Sequence, residues 1–470
     1  MTIDPQITPA DLEPATTRVF QIAADKVREL DRAWNPSLGT PVFTAAGKYT
    51  TRGWTEWTQG FQYGMALLAF DATDEKDLLE IGRRNTFRSM APHVSHVGVH
   101  DHGFNNISTY GNLRRLMREG RIAHDDWQLA FYELALKSSG AVQAARWTAI
   151  APGAKSDPDH RDAGFIHSFN GPHSLFADTI RSVRSLMVAW QLDHVLMAEN
   201  DRKIDLLRRG VLHCLSTARY NVYYGEGRDA YDTPAERGRV VHESIFNVTD
   251  GRYRCPSTQQ GYSPFTTWTR GLAWILCGFA EELEFLSTLA PSALAEFAGG
   301  KEQITKTFLN AAVATADWWL GHSFADGMVY WDAGAPLIPN GVDYAAGSDP
   351  FNDHEPIDSS AAAIAAQGFL RLGRFLGEKG NHYTQAGLTI ARTLFAEPYL
   401  STDSNHQGLL LHSVYHRPNG WDYVPPGRNI PCGESSMWGD YHLLELALWI
   451  RRAARKEPYY AFFDQVTEHD

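Results

Sequence analysis

Residues 99–111 read VHDHGFNNISTYG. Two histidines bracket Asp101, and glycine, phenylalanine and paired asparagines follow. The stretch is too polar for a core and too rich in ionisable groups for an idle loop. A second carboxylate, Asp178, stands in LFADTIRSVRSL, where Leu175, Phe176, Ile180 and Val183 surround it with apolar positions. A carboxyl group partly desolvated there is expected to titrate upward and stay protonated near neutrality. A second carboxylate beside it would push it further, dividing the pair into one acid and one base. Sequence spacing cannot show that the two meet, and either aspartate could instead cap a helix or a loop.

The His-rich run HVSHVGVHDHGF supplies His93, His96, His100, Asp101 and His102 as metal-ligand types. A zinc site would need them to converge, and neither metal nor cofactor is expected. HExxH, a Gly-rich phosphate loop and GxSxG are absent. Five stretches carry the remaining chemistry: WTEWTQGFQYG (54–64), HDHGF (100–104), GFIHSFNGPHSLFADTIRSV (164–183), TQQGYSPFTTWTRGLAW (258–274) and CGESSMWGDYHLLE (432–445). The first, fourth and fifth set tryptophan beside glycine, amides and hydroxyls. A flat indole against the C–H face of a sugar, with hydrogen-bonding neighbours for its hydroxyls, makes a saccharide pocket. Trp57, Trp268 and Trp274 could equally hold helices together.

The elements that must position these groups read as helices, near 14–32, 58–70, 76–91, 107–118, 125–138, 174–198, 203–221, 268–288, 302–321, 358–374, 381–396 and 436–454. In DSSAAAIAAQGFLRLGRFLGEKG, Asp358 or Ser359 can cap the start and Gly377 or Gly380 the stop. WTRGLAWILCGFAEELEFLSTL is apolar almost all round at its front, as an inner-layer helix would be. No neighbouring segments alternate with period two, so an extended sheet is not expected. The stretch 222–257 reads as an irregular insertion, with a short hairpin around RVVHESIFNVTDGRYRC. Residues 330–357 are rich in Pro, Gly and Asp, and loops of that length on a helical scaffold more often build a site than stay idle. One all-α domain over 1–470, its helix hairpins closing into an (α/α) barrel, fits the count. An α-solenoid fits it too, but no fixed-length repeat is visible.

The chain has 470 residues, 43% hydrophobic and 21% charged, with 14 Trp, 19 Tyr and 23 Phe, which allows a sizeable core. A formal charge of −12 argues against nucleic-acid binding through a basic surface. The N-terminus lacks the basic start and apolar run of a secretory signal, and no apolar run is long enough for a membrane span. Cys214, Cys255, Cys277 and Cys432 are scattered, as buried reduced thiols would be. A cytoplasmic location is therefore expected, with no membrane or nucleic-acid partner.

At the same stretches the chain resembles the unsaturated glucuronyl hydrolases of glycoside hydrolase family 88 and, more distantly, the unsaturated rhamnogalacturonyl hydrolases of family 105. WTQGFQYG is similar to the family's W-T-x-G-F-W-x-G, HDHGF to H-D-x-G-F, and QQGYSPFTTWTRGLAW to Q-G-Y-x-x-x-S-x-W-x-R-G-Q-A-W. YWD at 330–332, DSSAAAIAAQGFL at 358–370 and SSMWGDYHLLE at 435–445 follow in the family's order. The resemblance implies an (α/α)6 barrel. It implies removal of a non-reducing-end uronate carrying a C4=C5 double bond: C4 is protonated, water adds at C5, and the hemiketal opens to release the rest of the chain. The acid/base aspartate would be Asp178, with Asp101 beside the double bond. Trp57 and Trp274 would stack on the sugar. His100, His213, Gln260, Trp268 and Arg270 would line the pocket, and Ser435 and Ser436 would hydrogen-bond the uronate carboxylate, with Arg270 as a charged helper. One departure follows Asp178, where Arg181 and Arg184 replace the family's apolar run. They are expected to face solvent, or else to enter the pocket and recognise a further anion. The competing readings are a uronate lyase on the same toroid, a sugar sensor without catalysis, and a structural scaffold.

Overall fold

The structure is a computed structural model that describes residues 1–53, 56–150 and 163–464. Trp54 and Thr55, which open the first tryptophan stretch, lie outside the described residues. Helices alternate along the chain between an outer and an inner layer. The outer six are Glu13–Ala33, Lys76–Ser89, Asp126–Ala145, Leu206–Tyr220, Gly300–His322 and Asn381–Leu394. Their burial follows helical period: on Glu13–Ala33 the covered residues are Thr16, Val19, Phe20, Ala23, Ala24, Val27 and Leu30, with Lys26. The inner six are buried on nearly all sides. Thr269–Ser287 is buried from Thr269 to Leu286, and Ser359–Leu376 from Ser359 to Gly373.

The inner helices close a ring. Gln59–Thr73 meets the run His102–Asn106, Ile107–Gly111 and Asn112–Arg118, whose middle segment is a π-helical turn. That run meets Thr179–Ser182 and Arg184–Gln191, which meet Thr269–Ser287. Ser359–Leu376 and Met437–Arg455 complete the circuit back to Gln59–Thr73. This is the expected (α/α)6 barrel. Asp358 caps its helix by accepting from Ser360 N–H and Ala361 N–H, and Gly377, at φ 61°, ends it.

The sheets are small. Strands Glu243–Phe246 and Tyr253–Ser257 form the antiparallel hairpin expected in the insertion, and Ser174–Phe176 adds beside it. This corrects the reading of 174–198 as one helix. Ser174–Phe176 is a strand, the helix breaks around Val183, and after Asp193 (φ 56°) Val195–Ala198 pairs with Arg202–Asp205. A short apolar run fits a covered strand as well as a covered helix, and here pairing decided it. The four cysteines are free; Cys255 is exposed on its strand, not buried as expected. Among the described residues no helix is long and apolar enough to cross a membrane.

Candidate active site

Asp101 and Asp178 each stand immediately before a short inner helix, His102–Asn106 and Thr179–Ser182, at the position a capping residue occupies. Neither side chain caps its helix. Both carboxylates turn instead to His100, whose Nε2 lies 3.7 Å from Asp101 Oδ1 and 3.5 Å from Asp178 Oδ2. Donor atoms of the three residues all lie within 4.8 Å of one another. Two segments distant in sequence therefore deliver one compact cluster.

The helix contact that brings them together rests on Gly103. A Cβ there would sit 2.0 Å from the Ser182 carbonyl oxygen, so only glycine lets the two short helices approach this closely. Gly103 N–H donates to Ser182 Oγ at 3.0 Å, and Gln143 Nε2 donates to Ser182 Oγ at 2.9 Å and to the His100 carbonyl at 2.7 Å. The strand Ser174–Phe176 fixes the other side, where Ala177 N–H donates to the His242 carbonyl.

The charge pattern differs from the sequence expectation. Burial opposes a charge on His100, but Asp101 and Asp178 outweigh it and raise its pKa. Asp101 is pushed above the ordinary carboxylate range by burial, against His100 and with help from Asp178. Burial also acts upward on Asp178, yet the neighbouring His100 wins and holds Asp178 below the ordinary range. The carboxyl expected to stay protonated is the one His100 keeps ionised, because a histidine, not apolar wall alone, is its nearest neighbour.

The cluster opens into a cleft lined on one side by His93, His96 and Phe169 and on the other by Tyr415, His416 and Trp421. Trp57, Gln259, Gln260, Trp268, Arg270 and Trp274 complete it. Phe169 stacks on the His100 ring at 5.9 Å. Trp57, half-buried, stacks on Trp438 at 5.1 Å. Trp274 is only 2% exposed and packs against Phe104 and His442, so its ring is largely structural. Arg270 lies between the rings of Trp268 and Trp438, 4.7 Å from each. It donates to Gln260 Oε1, Asp358 Oδ2 and the carbonyls of Val414 and Tyr415, so it braces the cleft wall more than it offers a free charge. Asp422 accepts from Tyr415 N–H and His416 N–H and holds that wall in place.

Several expected residues are not in the cleft. Ser435 Oγ donates to the Leu410 carbonyl and Ser436 caps Met437–Arg455 through Gly439 N–H; both are fully buried and spent on the fold. His213 accepts from Ile166 N–H through Nδ1 and contacts Thr217 through Nε2, behind the cleft, and burial lowers its pKa to about 3. His102 contacts Ser139 and the His96 carbonyl, which removes it from any metal-binding group. Arg181 and Arg184 are wholly buried, neither solvent-facing nor in the cleft: Arg181 meets Glu281 at 2.6 Å and Glu445 at 2.9 Å, and Arg184 meets Glu281 at 3.0 Å. An arginine inside the ring is tolerated because a carboxylate partner is buried with it.

The sequence reading missed Tyr415, His416 and Trp421, which line the cleft, and His242, which packs behind Trp268. His242 Nδ1 accepts from Gln259 N–H at 3.1 Å and Gln260 N–H at 3.3 Å, leaving Nε2 without a partner. Its ring lies against Trp268 and Phe176, and burial lowers its pKa to about 4. Its position in the insertion hairpin, whose fold no motif marks, gave no signal.

No protein-family model matches the chain. It is 24% identical over 422 residues to the unsaturated glucuronyl hydrolase of Bacillus sp. strain GL1, covering 87% of this chain and 90% of that protein. It is also 24% identical over 446 residues to an unsaturated chondroitin disaccharide hydrolase of Streptococcus pyogenes, covering 92% and 90%. The chain is a relative of the unsaturated glucuronyl hydrolases. An unsaturated glucuronyl hydrolase specific for heparin has the same fold, with a TM-score of 0.68 at 19% identity over 94% of this chain and 98% of that one. So does a variant of the Streptococcus agalactiae enzyme complexed with dGlcA-GalNAc6S, with a TM-score of 0.63 at 18% identity over 98% and 100%.

Proposed function

We propose that this relative is a glycoside hydrolase that releases the unsaturated uronate from the non-reducing end of lyase-generated oligosaccharides. The observation that carries the reading is the convergence of Asp101 and Asp178 on His100 at the floor of an aromatic cleft, on a fold shared with enzymes of that name. The double bond and ring oxygen of such a uronate form a vinyl ether. A carboxylic acid gives a proton to C4, oxocarbenium character develops at C5, and water adds there as its second proton returns to a carboxylate. The hemiketal opens and the leaving sugar departs with its hydroxyl, so one water is consumed and the cluster ends as it began.

Asp178 is the proposed proton donor and Asp101 its partner across the double bond. With the cleft empty, His100 draws Asp178 toward its ionised form. Arrival of a uronate brings another negative charge beside the pair, which favours the protonated carboxyl. Trp57 and Gln260 are the proposed contacts to the sugar. His242, with its free Nε2, is proposed in the place the sequence reading gave to His213. A 4,5-unsaturated uronate substrate carrying deuterium at C4 tests the chemistry. Protonation turns C4 from trigonal to tetrahedral in the reacting step, so the reading predicts an inverse isotope effect on kcat/KM. An isotope effect of one means ordinary cleavage at the anomeric centre and overturns it.

A further inference from the structure

A second, open cavity lies between the outer helix Gly300–His322 and the insertion segment around residues 230–239, and it shares no lining residue with the catalytic cleft. Its walls are two aromatic pairs. Tyr231 and Phe265 stack at 4.2 Å on one side, both about half exposed, and Trp318 and His322 stack at 4.0 Å, nearly parallel, on the other. Arg239 also lines the cavity. It is 3% exposed, with its guanidinium held 4.1 Å above the Tyr223 ring.

Among the described residues, Arg239 Nη1 and Nη2 have no hydrogen-bond partner, and neither does Trp318 Nε1. An unmatched buried cation is costly to leave alone, whereas the other inner arginines described above each have a carboxylate. Three unpartnered, solvent-shielded donors on residues of one cavity wall call for a ligand rich in acceptors, and a guanidinium edge suits a carboxylate or sulfate group. The aromatic pairs suit the C–H faces of a sugar ring. Glu236, on the same wall, would repel a bare anion but accept from hydroxyl groups. Together these select a hydroxylated anion.

We propose that this cavity is an accessory binding site for an anionic saccharide, separate from the catalytic cleft and independent of the reaction assigned to it. The test titrates the full chain with D-glucuronate, followed by ligand-observed NMR, and repeats it with D-glucose. The site predicts that Arg239→Gln loses one class of glucuronate binding, weakened at least tenfold. Trp318→Phe, which removes one donor and little volume, should weaken the same class several-fold. Turnover at the cleft should stay within twofold of the unmodified chain in both. Glucose should bind at least tenfold more weakly than glucuronate and be indifferent to Arg239→Gln. Glucuronate isotherms unchanged in both variants would overturn the proposal, as would glucose binding as tightly as glucuronate. Should Arg239→Gln fail to fold, Trp318→Phe alone decides.

Discussion

Gly103→Ala is the substitution whose effect the geometry states most sharply. The new methyl would lie 2.0 Å from the Ser182 carbonyl oxygen, 2.6 Å from its carbonyl carbon and 2.7 Å from its Cα. All three are backbone atoms and cannot rotate away. A carbon–oxygen contact settles at about 3.3 Å or more, so the helices His102–Asn106 and Thr179–Ser182 must part by roughly 1 Å. Overpacking of this kind costs about 1–3 kcal/mol. The larger effect falls on chemistry, because Asp101 and Asp178 stand at the heads of the two displaced helices. A misplacement of about 1 Å at a reacting group lowers rate by about 100-fold. The assay pairs kcat/KM on an unsaturated disaccharide with a thermal melt, and Gly321→Ala serves as control, since nothing lies within 4 Å of that position. The control should match the unmodified chain. A folded Gly103→Ala protein with undiminished kcat/KM would refute the claim that this contact sets the aspartate pair.

Trp57→Ala should fold and raise KM, whereas Trp274→Ala, removing a ring that is 2% exposed, should cost about 3–5 kcal/mol of stability; paired kinetics and denaturant melts separate the two effects. His100→Gln removes the neighbour that holds Asp178 ionised, so the basic limb of the kcat/KM–pH profile should move to higher pH; an unmoved limb would mean that His100 does not set the charge of Asp178. Arg181→Met leaves Glu445 and Glu281 short of a buried partner and should lower stability by about 3–5 kcal/mol without touching the cleft, read by denaturant midpoint. Glu281 is held down to about 2 by Arg181, Arg184 and Arg371 against burial, so its contribution, roughly 3 kcal/mol, is present above the unfolded pKa near 4.5 and lost as pH falls toward 2. A melting temperature flat between pH 5 and pH 2 would contradict that network.

The ring itself was legible because helical period and the alternation of apolar-all-round with one-faced segments survive in sequence. Thr269–Ser287 and Ser359–Leu376 show it most plainly. Asp101 stood out because polar and ionisable groups crowd it, and Asp178 because apolar neighbours isolate it. What decided their roles could not be read. The meeting of the two aspartates depends on one close helix contact at Gly103, which is a tertiary fact. The segment 174–198 misled because Ser174–Phe176 takes its conformation from a partner strand far along the chain. Arg181 and Arg184 misled for the same reason. Charged residues are ordinarily at the surface, and only the opposing Glu281 and Glu445, delivered by two other inner helices, make their burial affordable. Ser435 and Ser436 lie in a stretch that does resemble a site, yet their hydroxyls are used by a neighbouring carbonyl and a helix end.

The most direct measurement is the absorbance of the unsaturated uronate, followed as purified protein acts on lyase-generated disaccharides, with Asp178→Asn and Asp101→Asn alongside. The account predicts a steady loss of that absorbance with the unmodified chain and almost none with either folded variant. Undiminished loss with Asp178→Asn, or a rise in absorbance on intact polysaccharide, would contradict it.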